Sequence, residues 1–285
     1  MAKLYSVNDS IATALSIEDF SKYHQTSSVI SQEALSDYLY KLKDSFSTVF
    51  STILNTNNDK IVTDVLTTKF ETKHVASRLK FIDVKELIVS KPENFSGKYI
   101  DYTKDLIAAA SVLAPNTEIT LNNLKLAVAS FINEYKEENV YTVYGATYFK
   151  ESKVTTEVYR KKISKYFPHS NASVKSNIGN LLKSLSDIDH LYNDIQKLDS
   201  LINLEKIEKI SKLAHSTSDL IDSLIDHNVS SGILLKNNEN KKQLIEAVHI
   251  AASEVELLSY LYSNTIFFYS AFKTMSDAIL ANRAT

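Results

Sequence analysis

From Val174 onward the apolar residues recur at alternating spacings of four and three: Val174, Ile178, Leu181, Leu185, Ile188, Tyr192 and Ile195. That spacing keeps one stripe of a helix apolar and predicts a long heptad-patterned helix. Ile207, Ala214, Thr217, Ile221 and Leu224 predict a second helix. The third is the most regular, with Leu244, Val248, Ala251, Val255, Leu258, Tyr262, Thr265, Tyr269, Phe272 and Ile279 in one heptad frame. Its length would be roughly 60 Å at about 1.5 Å per residue. Short connections make neighbouring helices antiparallel, so the expectation for 171–285 is an up-down-up bundle of three long helices.

The preceding half, 31–167, reads as a helical domain with shorter elements. Ser31 is a good N-cap for a helix over 31–54, whose stripe is Leu35, Leu39, Leu42, Phe46, Val49, Phe50 and Ile53. A second helix over 61–70 follows the polar run 55–59. The β-branched residues of 79–89, followed by Lys91-Pro92, predict an extended piece, with a short helix as the alternative. A helix over 98–113 should stop before Pro115, and Thr120 should cap the next one, which carries Leu121, Leu124, Val128, Phe131, Ile132 and Tyr135. Tyr and Val crowd 140–149, the best candidate for a strand or hairpin arm. A helix over 155–166 closes this half, and 167–171 is the most linker-like break. Residues 1–30 are weakly patterned and read as an N-terminal arm. The fold class expected is therefore mainly α, with at most a minor strand or hairpin element.

Residues 257–272 carry no charge, and Ile266, Phe267, Phe268 and Tyr269 make them apolar on every side. Such a helix is buried all round. It either runs through the centre of its own protein or meets another subunit; in the second case Tyr262, Ile266, Phe267, Phe268, Tyr269 and Phe272 are the interface candidates. Insertion into a membrane is the third alternative. The stretch is shorter than the ~20 residues a bilayer demands, and Ser259, Ser263, Asn264, Thr265 and Ser270 interrupt it.

Composition sharpens this picture. The 285 residues include only four glycines and three prolines, too few for a turn-rich β fold or a dinucleotide-binding fold. Zero cysteines exclude disulfides, thiolate catalysis and cysteine-type zinc. A net charge of −2 provides no field for nucleic acid, and Arg160-Lys161-Lys162 and Lys241-Lys242 are small, locally balanced clusters. No signal peptide is expected in 1–30, where Ile11–Leu15 is the longest apolar approach.

Gly97, Gly145, Gly179 and Gly232 are too far apart for a phosphate loop, and no nucleophile elbow or His-Glu-x-x-His is present. His190 and Asp194 share a helical face beside Asp187 and Asp189; a divalent metal could use them, but a solvated stripe opposite the leucine seam is the ordinary reading. His215, His227 and His249 are expected at the surface. No catalytic, cofactor or metal site is expected, and the chain reads as a non-enzyme. Its 16 tyrosines suit interfaces and core edges alike.

One stretch resembles a known class. The aliphatic-rich 79–89, then Pro92, Glu93, Phe95, Gly97 and Tyr99 in a Pro-Glu-x-Phe-x-Gly-x-Tyr pattern, then a helix, is similar to virion structural proteins of large tailed bacteriophages, over residues 78–106. Prohead proteases of some such phages cut after Glu in Ser-x-Glu, a form that Ser16-Ile17-Glu18 and Ser31-Gln32-Glu33 fit. The resemblance implies a virion component made in the host cytoplasm. It would act by helix packing, with other virion proteins or copies of itself as partners. The alternative is an α-helical pore-forming or membrane-perturbing protein that uses 257–272.

Overall fold

The computed structural model describes residues 40, 88–92, 95–134, 146–164, 166, 173–184, 187–231 and 238–281. The arm 1–30 and the helix predicted over 61–70 lie outside them, as does 31–54 apart from Tyr40, which is helical. The described elements are β1 (Ile88–Pro92), α1 (Tyr99–Glu134), α2 (Ala146–Ser164), β2 (Ser173–Asn177), α3 (Ile178–Leu181), α4 (Asp187–Leu201), α5 (Leu204–Ser231) and α6 (Asn238–Ala281). The fold is mainly α. Among the described residues the sheet is a small one that pairs β1 with β2 antiparallel, with Ser90 opposite Lys175.

Three predicted boundaries move. The helix expected to end before Pro115 continues through it, so α1 is a single 36-residue helix. Proline removes the N–H that would bond to the Ser111 carbonyl, but Ser111 and Pro115 both face solvent, where water can serve that carbonyl. On the opposite face Leu113, Thr117, Leu121 and Leu124 are fully buried, and their packing outweighs the local penalty. Pro115→Ala is expected to stabilise the fold by about 2 kcal/mol, the helix-interior penalty of proline less its gain from a stiffer unfolded chain. An unchanged or lower urea midpoint would show that α1 is broken there in solution.

The heptad helix expected from Val174 is also interrupted. Residues 173–177 pair with β1, and the Asn177 side chain caps the short α3 by accepting from the Gly179 N–H at 2.9 Å. The Asp187 carboxylate then accepts from the N–H groups of Lys183 and Ser184 at 2.7 and 2.9 Å, so α4 begins thirteen residues late. Of the strand or arm expected over 140–149, residues 146–149 are the first turn of α2, and the rest lies outside the described residues. Tyr and Val favour strands through their packing more than through the backbone, so tertiary contact decides such a segment. The extended piece over 79–89 is a strand at Ile88 and Val89; the remainder lies outside the described residues.

The largest difference is topological. In place of an up-down-up bundle, α4 and α5 run in the same direction, end to end, along α1. Asp194 meets Thr103, Glu118 meets Lys209 and Lys125 meets Ser216, each pair separated by 91 residues. A constant separation means parallel helices in fixed register, and a heptad seam produces such register. Only Ile202 and Asn203 separate α4 from α5. The Asn203 side chain caps α5 by accepting from the Lys206 N–H at 2.9 Å, and Lys206 Nζ donates back to the Ser200 and Leu201 carbonyls that end α4.

Helix α6, 44 residues long, runs antiparallel to α1: Tyr99 meets Phe267 and Phe268, and Tyr102 meets Asn264. It also packs on α4, α2 and β1. Thus α1, drawn from the stretch predicted as a separate domain, is the common partner of α2, α4, α5 and α6.

Candidate functional site

The six interface candidates are all in the chain's own core. Tyr262, Ile266, Phe267, Phe268, Tyr269 and Phe272 are each at most 6% exposed. Of the alternatives open for 257–272, the structure takes the internal one, and two of the hydroxyls that interrupt the segment bond within it: Ser263 donates to the Ser259 carbonyl and Thr265 to that of Leu261. Among the described residues no helix is long and apolar enough to cross a membrane.

The core has an aromatic centre that the Pro-Glu-x-Phe-x-Gly-x-Tyr stretch builds. Phe95 lies edge-on to Tyr99 at 5.0 Å and stacks on Tyr166 at 6.4 Å; Tyr99 meets the edges of Phe267 and Phe268. Gly97 makes the turn with φ +106°, and a Cβ there would stand 3.2 Å from the Tyr166 ring. Lys98 Nζ reaches the Gly179 carbonyl at 2.7 Å and so ties this turn to α3. Tyr102 donates to Asn264 Oδ1 at 3.0 Å and lies 3.2 Å from the Tyr260 hydroxyl. Burial pushes the Tyr102 hydroxyl well above its ordinary pKa, so it remains a neutral hydrogen-bonding group.

A different chemistry occupies the seam where α2 lies on α1 and α6. Glu254 is 0% exposed, in the middle of α6. Its Oε1 accepts from the Ser152 hydroxyl of α2, and its carboxyl is also hydrogen-bonded to the Thr120 side chain of α1. Its Oε2 has no hydrogen-bond partner among the described residues. Burial raises its pKa to about 7, against the two hydroxyls, which lower it. Farther along, Arg160 holds Glu256 at 2.6 Å and Lys153 approaches Glu246 at 3.7 Å. Burial raises the Glu256 carboxyl even with Arg160 beside it. At the far end Lys162 and the Tyr166 hydroxyl share Asp105, both at 3.0 Å. Two members of the basic cluster 160–162 therefore serve α2 docking.

Between α2 and α6 is a cavity of about 90 Å³, lined by Lys153, Thr156, Glu157, Arg160, His249, Ile250 and Ser253. That volume suits a few waters; metabolite sites are typically several hundred Å³. Glu254 is not among the lining residues. A carboxyl near neutrality is what acid–base catalysis uses, but it has to reach a substrate.

Of the residues weighed for metal binding, Asp187 caps the approach to α4, Asp194 accepts from Thr103, and Asp189 and His190 face solvent. No group of three or more metal-type side chains occurs among the described residues. His215 is exposed and bonds back to the Ser211 carbonyl, whereas His249 is half-buried at the cavity.

Sequence reasoning passed over Glu254 and Ser152 and read Thr120 as a helix cap, whereas it lies inside α1. One signal was present: Glu254 is a carboxylate between the heptad residues Ala251 and Val255, just before the uncharged stretch 257–272. Nothing local marks Thr120 or Ser152 as its partners.

No protein-family model matches this chain, and no curated protein or solved structure is significantly similar to it. The functional reading therefore rests on the residues themselves.

Proposed function

We propose that the chain is a non-enzymatic structural component of a tailed-phage virion, made in the host cytoplasm and working through helix-to-helix packing. Its partners in this reading are other virion proteins or copies of itself. The observation that carries it is the reversed polarity of α2. This helix turns Ser152 and Thr156 inward, nearly fully buried, and presents Val154 and Val158 outward at 60% and 55% exposure. Two β-branched residues one turn apart on an outer face make a contact strip for another helix. Ile119 and Leu126 add exposed aliphatic surface two turns apart on α1. The Pro-Glu-x-Phe-x-Gly-x-Tyr resemblance supports a virion as the setting. The membrane-perturbing alternative would need 257–272 to leave the core that its own side chains form.

Mass spectrometry of purified particles, from the phage whose genome encodes the chain, tests the proposal. Peptides of this protein at a fixed copy number relative to the major capsid protein are the expected result. Particles that lack the chain would overturn it.

A further inference from the structure

We propose that Glu254 is a proton-operated latch on α2: with its carboxyl protonated the helix is held on α1 and α6, and with its carboxyl ionised the helix loosens. The inference concerns this fold alone and is independent of the virion reading.

The case starts from how α2 is fastened. Its fully buried side chains among the described residues are Ser152, Thr156 and Ile163, so a single aliphatic residue supplies its deep apolar contact. α5, by comparison, buries Ile207, Ile210, Ala214, Ile221, Leu224 and Ile225. Tyr159 adds a partly buried ring, and the polar interactions form a large part of what holds the described stretch of α2. The most enclosed of them is the three-helix junction at Glu254, where Ser152 and Thr120 meet one carboxyl with an unpaired second oxygen.

Among the described residues, an ionised carboxylate there has two hydroxyls and no cation. On α2 the charged groups along the seam are otherwise engaged or outward: Lys153 with Glu246, Arg160 with Glu256, and Glu151 and Glu157 exposed. α1 offers Thr120, and the nearby Glu118 is bound to Lys209 of α5. On α6 itself, Glu246 and Glu256 are the paired acids and His249 lines the cavity. A buried charge without a counter-charge is strongly unfavourable, whereas the neutral acid has no charge to desolvate and keeps its hydrogen bonds with the hydroxyls. Undocking of α2 would open the carboxyl to water, so ionisation favours undocking.

The direction follows from linkage. The carboxyl binds its proton more tightly when α2 is docked, with a pKa of about 7 against an ordinary 4.5. The Glu254 contribution to docking is therefore greatest below 4.5 and weakens as the pH rises through that window to about 7. It weakens on the order of fiftyfold between pH about 5 and pH about 8.

The chain has no cysteine, so spin labels can be placed at will. Val158→Cys on α2 and Lys212→Cys on α5, both exposed, give one labelled pair in the full-length protein. Dipolar distance measurement is expected to show one narrow distance at pH about 5 and a second, longer population at pH about 8. Glu254→Gln keeps the shape of the neutral acid and is expected to hold the narrow distance at both. A parent distribution that does not change with pH overturns the latch. So does an E254Q variant that opens as the parent does, which would transfer the effect to His249 or another group. Should E254Q fail to fold, carbon-13 titration of the side-chain carboxyls in the parent decides. A Glu254 midpoint near neutrality that coincides with the distance change supports the latch, and one near 4.5 overturns it.

Discussion

Phe268→Ala is expected to lower the unfolding free energy by about 3–5 kcal/mol, a large share of what a domain of this kind possesses. The Phe268 ring is 0% exposed, and three other rings surround it: Phe267 at 5.1 Å, Tyr99 at 5.4 Å and Tyr102 at 5.6 Å. Helices on both sides present these rings, so truncation leaves a hole that neither can fill without moving the other. The loss should show as a lower midpoint in urea, unchanged across a tenfold range of protein concentration. That invariance matters, because a ring buried between subunits would make the loss depend on concentration by mass action. Leu126→Ala, at a position 54% exposed, is the control and should change stability by less than about 0.5 kcal/mol. Equal effects at the two positions would contradict the core described here.

Global stability is expected to fall by about 3 kcal/mol as pH rises from 4.5 to about 7, through Glu254 alone. Below 4.5 the carboxyl is protonated in both folded and unfolded chains and costs nothing. Between the ordinary value and about 7 the unfolded chain releases the proton while the folded chain retains it, so folding loses ground across that window. Above about 7 both forms are ionised, and the difference stays constant. Asp199, which burial raises against its hydrogen bond with Tyr269, adds a slope of the same sign. Chemical denaturation at a series of pH values, in parent and Glu254→Gln, isolates the Glu254 share as the difference between the two curves. Parallel curves would show that Glu254 is not the group that titrates.

Much of the helical content was legible because it depends on spacing alone. α5 and α6 lie where the heptads of Ile207–Leu224 and Leu244–Ile279 place them, since an apolar stripe must be buried whatever covers it. The uniform apolarity around Phe267 and Phe268 likewise announced burial on all sides. Pro115 and the strand at 173–177 were misread for a common reason. At each, a local preference yields to contacts with residues far along the chain, and local pattern carries no trace of those partners.

The sequence by itself determined that this protein is mainly helical, that its last helix is enclosed, and that its apolar stripes are long enough to hold helices in register. Tertiary structure alone decided which stripes meet. A heptad specifies a seam but names no partner, so only the fold shows α4 and α5 running end to end along α1 and 257–272 closed within the chain. It also decided the state of Glu254. A glutamate's charge depends on the water and cations around it, and here three helices remove the water and, among the described residues, supply hydroxyls in place of a cation.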